Sequence, residues 1–511
     1  MLNRDSFKKG IIVSTTLNII GKLIAFINTL IITYYFGTQV ETDIFFYIIS
    51  VTALICNAIN GVDLLVLVPE ILRLRGQESE IEARRFVNFF FYSYIFIGLV
   101  FSILILSNPI DFYTTFSKFD IEKIYKYHLI LKAGIGIIFF QLTNGLLTSV
   151  LTSYKFFTAP IIAGILNSLF TILFTVLLHD SIGIKGALVG ILIGYSINFV
   201  LLMYTMYSKL QWNFFEVTIM KNKLVWKNIG LMQVNILPIW IRNYVTITLF
   251  SSMVTGTITA LNIAQNIALI PEVFITSQII AITGIKFSEL NAANDMKTLK
   301  NLLDSIFIGL LLIMIPISIV FAICTKDIVS ILYLRGNFDI QSLSVTAFCL
   351  FFLSILMPFK IPDSLFTRLF TSLQIYESTA MLGLLAHITI ATMTYFLTIR
   401  YGLKGYFAAL LGGYCIIMPI VFFLLMHFKA PTLKSYVLLK NLMYMAIISL
   451  ITSIIGYSIY SHINYGSIIN VIVITLVVSV PFWVSSYFCL DIESIKIYLE
   501  RFTSKIKTIK L

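Results

Sequence analysis

The sequence predicts an all-α polytopic membrane protein of about fourteen transmembrane helices. They form two six-helix lobes related by a pseudo-twofold axis along the membrane normal, plus two further C-terminal helices. Three observations carry this. Hydrophobic residues make up 59% of the 511-residue chain and charged residues only 12%. The apolar residues gather into repeated blocks of about 20, the length that spans a bilayer core. An internal repeat also links the fifth and sixth blocks to the eleventh and twelfth. Barrel strands would be about ten residues long and alternate polar with apolar. These blocks do not alternate, so helices, which satisfy their own backbone, are the spanning form.

In chain order the spans are 11–36, 43–68, 87–107, 128–152, 158–178, 184–206, 228–254, 259–285, 302–324, 343–370, 378–399, 404–426, 437–461 and 468–490. The first is too long for a signal-peptide core and lacks a small-residue cleavage site after it, so it stays as a helix. The second ends at Val68-Pro69. In the following stretch, 69–86, Arg73, Arg75, Glu78, Glu80, Glu82, Arg84 and Arg85 suit a surface helix or a solvated connector. Spans three and ten have charges near their ends. Prolines stand inside several spans, where neighbouring helices take up the freed carbonyls. Pro358 and Pro362 bracket Lys360 in span ten. Few residues lie outside the spans, so no large soluble domain is expected.

The repeat sets the domain plan. Gly183-Ile184-Lys185-Gly186 opens one span and Gly402-Leu403-Lys404-Gly405 opens another. At the same spacing Gly194-Tyr195 matches Gly413-Tyr414, Leu151-Thr152-Ser153 matches Phe370-Thr371-Ser372, and Asn144 matches Asp363. The spacing covers six spans, an even number, so both halves enter the membrane from the same side. Transporters are often built from such repeats, with the binding cavity at the repeat interface. The expected division is 1–220, 221–430, two added helices in 431–490, and a basic tail, 491–511, suited to anionic lipid headgroups or to topology anchoring.

The net charge of +12 sits in alternate loops and acts as an orientation signal rather than a nucleic-acid footprint. One set holds Arg4, Lys8 and Lys9, then Arg73 to Arg85, Lys209 to Lys227, Lys286 to Lys300, Lys429 and Lys434, and Lys496 to Lys510. The other set holds far fewer basic residues. Both termini are therefore expected in the cytoplasm.

Enzyme signatures are missing. There is no Walker A motif, HExxH or GxSxG. The five cysteines form no CxxC pair, and the five histidines are far apart. No enzymatic activity, cofactor or metal is expected. What remains is a set of ionisable residues inside the spans: Lys22, Asp63, Lys132, Arg242, Glu272, Lys360, Asp363 and Arg368. Such charges are costly in a bilayer and face a cavity or one another. Cations dominate, which suits an anionic ligand such as a pyrophosphate or a carboxylate. Lys132 and Arg368 can snorkel to an interface, and Lys360 and Asp363 can pair with each other. Lys22 has more than two apolar turns on either side.

Two passages resemble one family. Phe36-Gly37-Thr38-Gln39-Val40-Glu41-Thr42-Asp43-Ile44-Phe45-Phe46 resembles the FG-x4-TDAFF stretch at the first outer turn of the MurJ/MviN lipid II flippases. Leu332-Tyr333-Leu334-Arg335-Gly336-Asn337-Phe338-Asp339 is similar to their RGxF turn between spans nine and ten. Val68-Pro69 also looks like their exit from span two. Fourteen spans and a six-plus-six repeat fit the wider multidrug/oligosaccharidyl-lipid/polysaccharide exporter superfamily.

The resemblance implies an alternating-access flippase for an undecaprenyl-pyrophosphate-linked saccharide. Lys22 would bind the pyrophosphate while the polyprenyl tail stays in lipid. It implies structural roles for Gly37, Asp43, Arg335, Gly336 and Phe338. Where the family places cavity arginines, an ungapped comparison puts Lys22, Asn28, Cys56 and Asn266. The cavity should thus be less positive, and an O-antigen, capsule or exopolysaccharide precursor competes with lipid II as cargo. A drug/cation antiporter of the same superfamily is the further alternative. The expected partners are the lipid-linked saccharide and membrane lipids, without nucleic acid. A coupling ion or the membrane potential is the candidate driving force, and one chain suffices as the transport unit.

Overall fold

The computed structural model describes residues 7–132, 134–218, 223–434 and 436–490. The basic tail and the short basic stretch 219–222 lie outside the described residues. Helices make up nearly all of the described chain, with no strand among the described residues.

Two compact units form, one of residues 1–259 with 335–342, the other of 260–334 with 343–511. The first contains α1 (Phe7–Phe36), α2 (Val40–Asn60), α3 (Val68–Gln77), α4 (Glu80–Ser107), α5 (Pro109–Thr115), α6 (Ile121–Lys126), α7 (His128–Lys132), α8 (Gly134–Ser153), α9 (Thr158–Ile182), α10 (Lys185–Leu210) and α11 (Lys223–Phe250). The unit boundary falls inside α12 (Thr257–Pro271). The second continues with α13 (Ser277–Ala292), α14 (Met296–Ile323), α15 (Thr325–Tyr333), α16 (Ile340–Ser372), α17 (Tyr376–Gly412), α18 (Met418–Lys429), α19 (Tyr436–Tyr460) and α20 (Ser467–Cys489).

Among the described residues, twelve helical stretches are long and apolar enough to cross a membrane. One of them, Glu377–Lys429, is 53 residues long and breaks at Gly402, whose φ of 58° and ψ of −138° leave the helical region. It therefore supplies two spans. With α11, 28 residues long, the total reaches the fourteen expected.

The repeat is visible in the backbone. Gly183, at φ 63° and ψ −143°, has the conformation of Gly402. Both sit in the left-handed half of φ space, where glycine carries no Cβ penalty. One span earlier, Lys155 (φ 66°) and Gln374 (φ 60°) end their helices in the same left-handed way. The capping bonds match too. Phe156 N donates to Leu151 O at 2.9 Å and Ile375 N to Phe370 O at 3.0 Å, while Lys155 N reaches Thr152 O and Gln374 N reaches Thr371 O. These are Schellman caps built from corresponding residues.

The charged stretch after span two is helical. Glu70 and Glu78 pair with Arg73, Glu80 with Arg75, and Glu82 with Arg85. Ser79 caps α4, accepting from Glu82 N at 3.1 Å. Arg84 donates to the carbonyls of Leu210 and Gln211 at the end of α10, a cation placed where a helix dipole is negative. Asn88 donates to Asn213 O and Glu216 O and accepts from the buried Trp212 indole, each at 2.8 Å. The segment leaving α10 is thereby fastened to α4.

The last two helices pack on α14 along one stripe each. On α19 this is Leu438, Asn441, Met445, Ile448, Thr452 and Gly456; on α20 it is Asn470, Ile474, Val478, Phe482 and Ser486. The three-to-four spacing of these residues marks one helical face.

Candidate functional site

The two motif passages meet in the first unit. Asn337 N donates to Tyr34 O at 2.9 Å, and the Asn337 amide donates to Tyr35 O. Gly37 and Gly336, at φ 60° and 61°, make this approach feasible. A Cβ on Gly37 would strike the Asn337 carbonyl, and one on Gly336 the Tyr34 carbonyl. Thr38 and Ser342 hydroxyls lie 2.6 Å apart, and Asp339 accepts from Ser342 N and Oγ. Those donors hold the Asp339 carboxyl below the usual carboxylate range. Phe338 is buried, whereas the Arg335 side chain is exposed.

Asp43 completes the turn. It is buried at the start of α2, with Oδ2 accepting from Gly256 N at 2.6 Å. Its Oδ1 accepts from Thr259 N at 2.9 Å and Thr259 Oγ1 at 2.6 Å. A buried carboxylate with three donors is a satisfied structural group.

Lys22 is exposed near the middle of α1. The helix packs along α9, with Gly21 seated against Ile165. Asn18, Lys22 and Thr29 fall at three-to-four spacing on one face, with only Ala25 apolar between them. Asn28, off this face, is half-buried. On α2, Ser50 is half-buried and Asn57 exposed, but Cys56 is only 2% exposed and points its thiol at Ile138 O of α8. The ungapped comparison thus lands one residue off the accessible face of α2.

Asp63 is 1% exposed. It opens a π turn, Asp63–Leu67, at the end of span two. Tyr94 of α4 donates to its Oδ1 at 2.5 Å, and Oδ2 has no donor among the described residues. The group is packed inside the unit rather than presented to a ligand. Lys132, at the end of α7, and Arg242, in α11, are half-buried in the first unit.

The second unit has a different arrangement. A π turn, Glu272–Thr276, follows Pro271, and α16 carries Pro358 and Pro362. Between these distortions Glu272 Oε2 and Lys360 Nζ lie 3.7 Å apart, their side chains 35% and 33% exposed. The ion pair of Lys360 is therefore with Glu272 on a neighbouring helix, not with Asp363 one turn away. Thr276, Met314, Met357 and Ser364 line the same small cavity. Asn266, half-buried, donates to Asn262 at 3.1 Å. Arg368 is exposed, its stem lying over Gly284.

Sequence reasoning missed three features: the Glu272–Lys360 pair, the Tyr94 partner of Asp63, and the amides Asn57, Asn262 and Gln265. For the amides the signal was present, since each interrupts an apolar block at helical spacing.

A family model described as "Lipid II flippase MurJ" matches residues 32–477. A solved structure of the lipid II flippase MurJ, in an inward closed conformation, aligns with TM-score 0.75 at 16% identity. The alignment covers 93% of this chain and 98% of that one. An inward-facing multidrug resistance MATE family transporter of the MOP superfamily aligns with TM-score 0.60 at 14% identity, covering 83% and 96%. A MOP superfamily transporter from Pyrococcus furiosus, described as having a binding pocket of reverse polarity, follows with TM-score 0.54 at 14% identity, covering 84% and 98%. Comparison with curated protein sequences finds no match. At these identities the structural likeness speaks for the fold, and the family model speaks for the family.

Proposed function

The chain belongs to the lipid II flippase MurJ family, and on that premise we propose that Lys22 is the cation that takes the pyrophosphate of the lipid-linked precursor. A flippase of lipid-linked precursors must carry a polar, doubly charged headgroup through hydrocarbon while the polyprenyl chain stays in lipid. An ammonium in mid-span supplies the charge that this headgroup needs. The observation that carries the reading is the exposure of Lys22, with Asn18 one turn before it on the same face, in the apolar middle of α1. Asn28 and Asn266 cannot neutralise a phosphate, so more of the anion falls to Lys22 than in a cavity lined with arginines. The MATE transporters share the fold at low identity, and the antiporter alternative rests on that kinship alone.

In this reading the protein sits in the bacterial cytoplasmic membrane with both termini inside, as its loop charges suggest. It works by alternating access of lobes 1–220 and 221–430, as a single chain, without a catalytic step of its own. A coupling ion or the membrane potential drives the cycle. Gly37, Asp43, Gly336 and Phe338 hold the outer turn rather than touch cargo.

The test is a flipping assay in proteoliposomes with fluorescent lipid II. Lys22→Arg should retain transport and Lys22→Ala should lose it, with both variants inserted and equally stable. Normal flipping by Lys22→Ala would remove the residue from the mechanism.

A further inference from the structure

We infer that the second unit carries a binding groove for an anionic glycerophospholipid, formed by the first turns of α16 and the break at Gly402 inside α17. The groove is separate from the residues assigned to cargo, and the inference does not depend on the flippase reading.

Ser344, Val345 and Phe348 of α16 and Tyr401, Leu403 and Lys404 of α17 line an open groove of about 520 Å³. The α16 residues stand more than three turns from Lys360, about 20 Å along the helix, so this is not the cavity of the Glu272–Lys360 pair. Its wall is aromatic: the Phe348 ring lies 5.0 Å from that of Phe352 and 6.0 Å from that of Phe407. Its rim is polar, with Ser344, Tyr401 and Lys404 exposed. Phe351, further along α16, and Ile399, just before Tyr401, are exposed large apolar side chains. In a chain that crosses a membrane such side chains lie against acyl chains, and the break at Gly402, between two spans, lies at headgroup depth. The groove thus runs from hydrocarbon to headgroup.

Charge selects the ligand. Arg400 Cζ lies 5.5 Å from the Tyr401 ring centroid, which puts a second cation near Lys404. None of the lining residues is acidic, and the chain holds no acidic residue between Glu377 and Asp491. Asp339, just before α16, already accepts two bonds from Ser342. Lys404 stands in the first turn of the span that begins after Gly402, where the helix dipole also favours an anion. The internal repeat supplies a contrast. The turn of the first unit reads His179-Asp180-Ser181-Ile182-Gly183, and that of the second reads Thr398-Ile399-Arg400-Tyr401-Gly402. The shared backbone therefore does not require Arg400 and Tyr401. Two cations at the polar end of an apolar groove match a phosphodiester with its acyl chain. Lys404 and Arg400 take the phosphate, Ser344 and Tyr401 offer hydroxyls to a glycerol headgroup, and Val345, Phe348 and Leu403 cover the first methylenes. Phosphatidylglycerol fits on all three counts, whereas the choline of phosphatidylcholine is repelled by the same cations.

The experiment titrates the full chain in detergent with phosphatidylglycerol or phosphatidylcholine and counts the lipids retained by native mass spectrometry. The wild type should hold phosphatidylglycerol in preference to phosphatidylcholine. Lys404→Ala should weaken the tightest phosphatidylglycerol site about fivefold, and Lys404→Ala with Arg400→Ala about 25-fold, at about fivefold per cation near a headgroup. Lys404→Arg should retain it. Lys185→Ala, at the matching turn of the first unit, should leave it unchanged. An equal loss in Lys185→Ala would reduce the effect to general surface charge and overturn the site. Equal retention of the two lipids by the wild type, or no loss in the double variant, would overturn it as well. Displacement of the tightest phosphatidylglycerol by millimolar inorganic phosphate would assign the cations to a free anion and overturn the lipid as occupant.

Discussion

The candidate-site residues of the two units handle charge in different ways. The first buries two carboxylates, Asp43 with three protein donors and Asp63 with Tyr94, and leaves the ammonium of Lys22 exposed. The second sets a carboxylate and an ammonium together, Glu272 with Lys360, both about one-third exposed. A lone accessible cation can attract an anion. A neutral pair attracts none but can bond hydroxyls and amides. A charge within a span says little about ligand binding until it is known whether protein groups satisfy it.

The largest effects are expected when the two lysines are removed in turn. Lys22→Ala should lower lipid II flipping by roughly 100-fold, the scale of losing a desolvated charge partner. Lys360→Met should cost less, and pairing it with Glu272→Gln should restore part of the loss, because the uncompensated carboxylate is then gone. Equal losses in Lys22→Ala and Lys360→Met would erase the distinction between the units.

The next effect concerns stability. Asp43→Ala leaves Gly256 N and Thr259 N without their acceptor, and should cost about 3–5 kcal/mol, seen as a large fall in Tm in detergent. Tyr94→Phe removes the donor to Asp63 and should cost about 1–3 kcal/mol. If Tyr94→Phe proves as damaging to transport as Lys22→Ala at full stability, Asp63 belongs to the transport site after all. Arg73→Ala breaks two partly exposed ion pairs and should change stability by less than about 1 kcal/mol.

The smallest effect is set by pH. Ser342 donors lower the Asp339 carboxyl pKa in the folded protein. A group depressed on folding stabilises above its unfolded value, about 3.9, and loses that contribution as pH falls through the folded value. The turn at 335–342 should loosen only in strong acid, and Asp339→Asn should flatten the dependence. Limited proteolysis of the 335–342 segment against pH would show it.

Much of the fold was legible because span length and apolar content are set by the bilayer rather than by tertiary detail. The glycine repeat was legible for a related reason: Gly183 and Gly402 hold a backbone conformation that other residues adopt only at a cost. The candidate site was less so. Asp363 stands one turn from Lys360 and looked like a natural partner, but the π turn at Glu272 brings another helix's carboxylate to Lys360. Asp63 stood among the cavity candidates because nothing local marks Tyr94 as its donor. The two motif turns are some three hundred positions apart, so their docking through Asn337 could not be read from either one.

The most direct test is complementation of a bacterium depleted of its own lipid II flippase, with lipid II exposure at the outer leaflet as the readout. This chain should restore exposure and growth, and Lys22→Ala, inserted to the same level, should not. No exposure despite confirmed expression and insertion would contradict lipid II as the cargo.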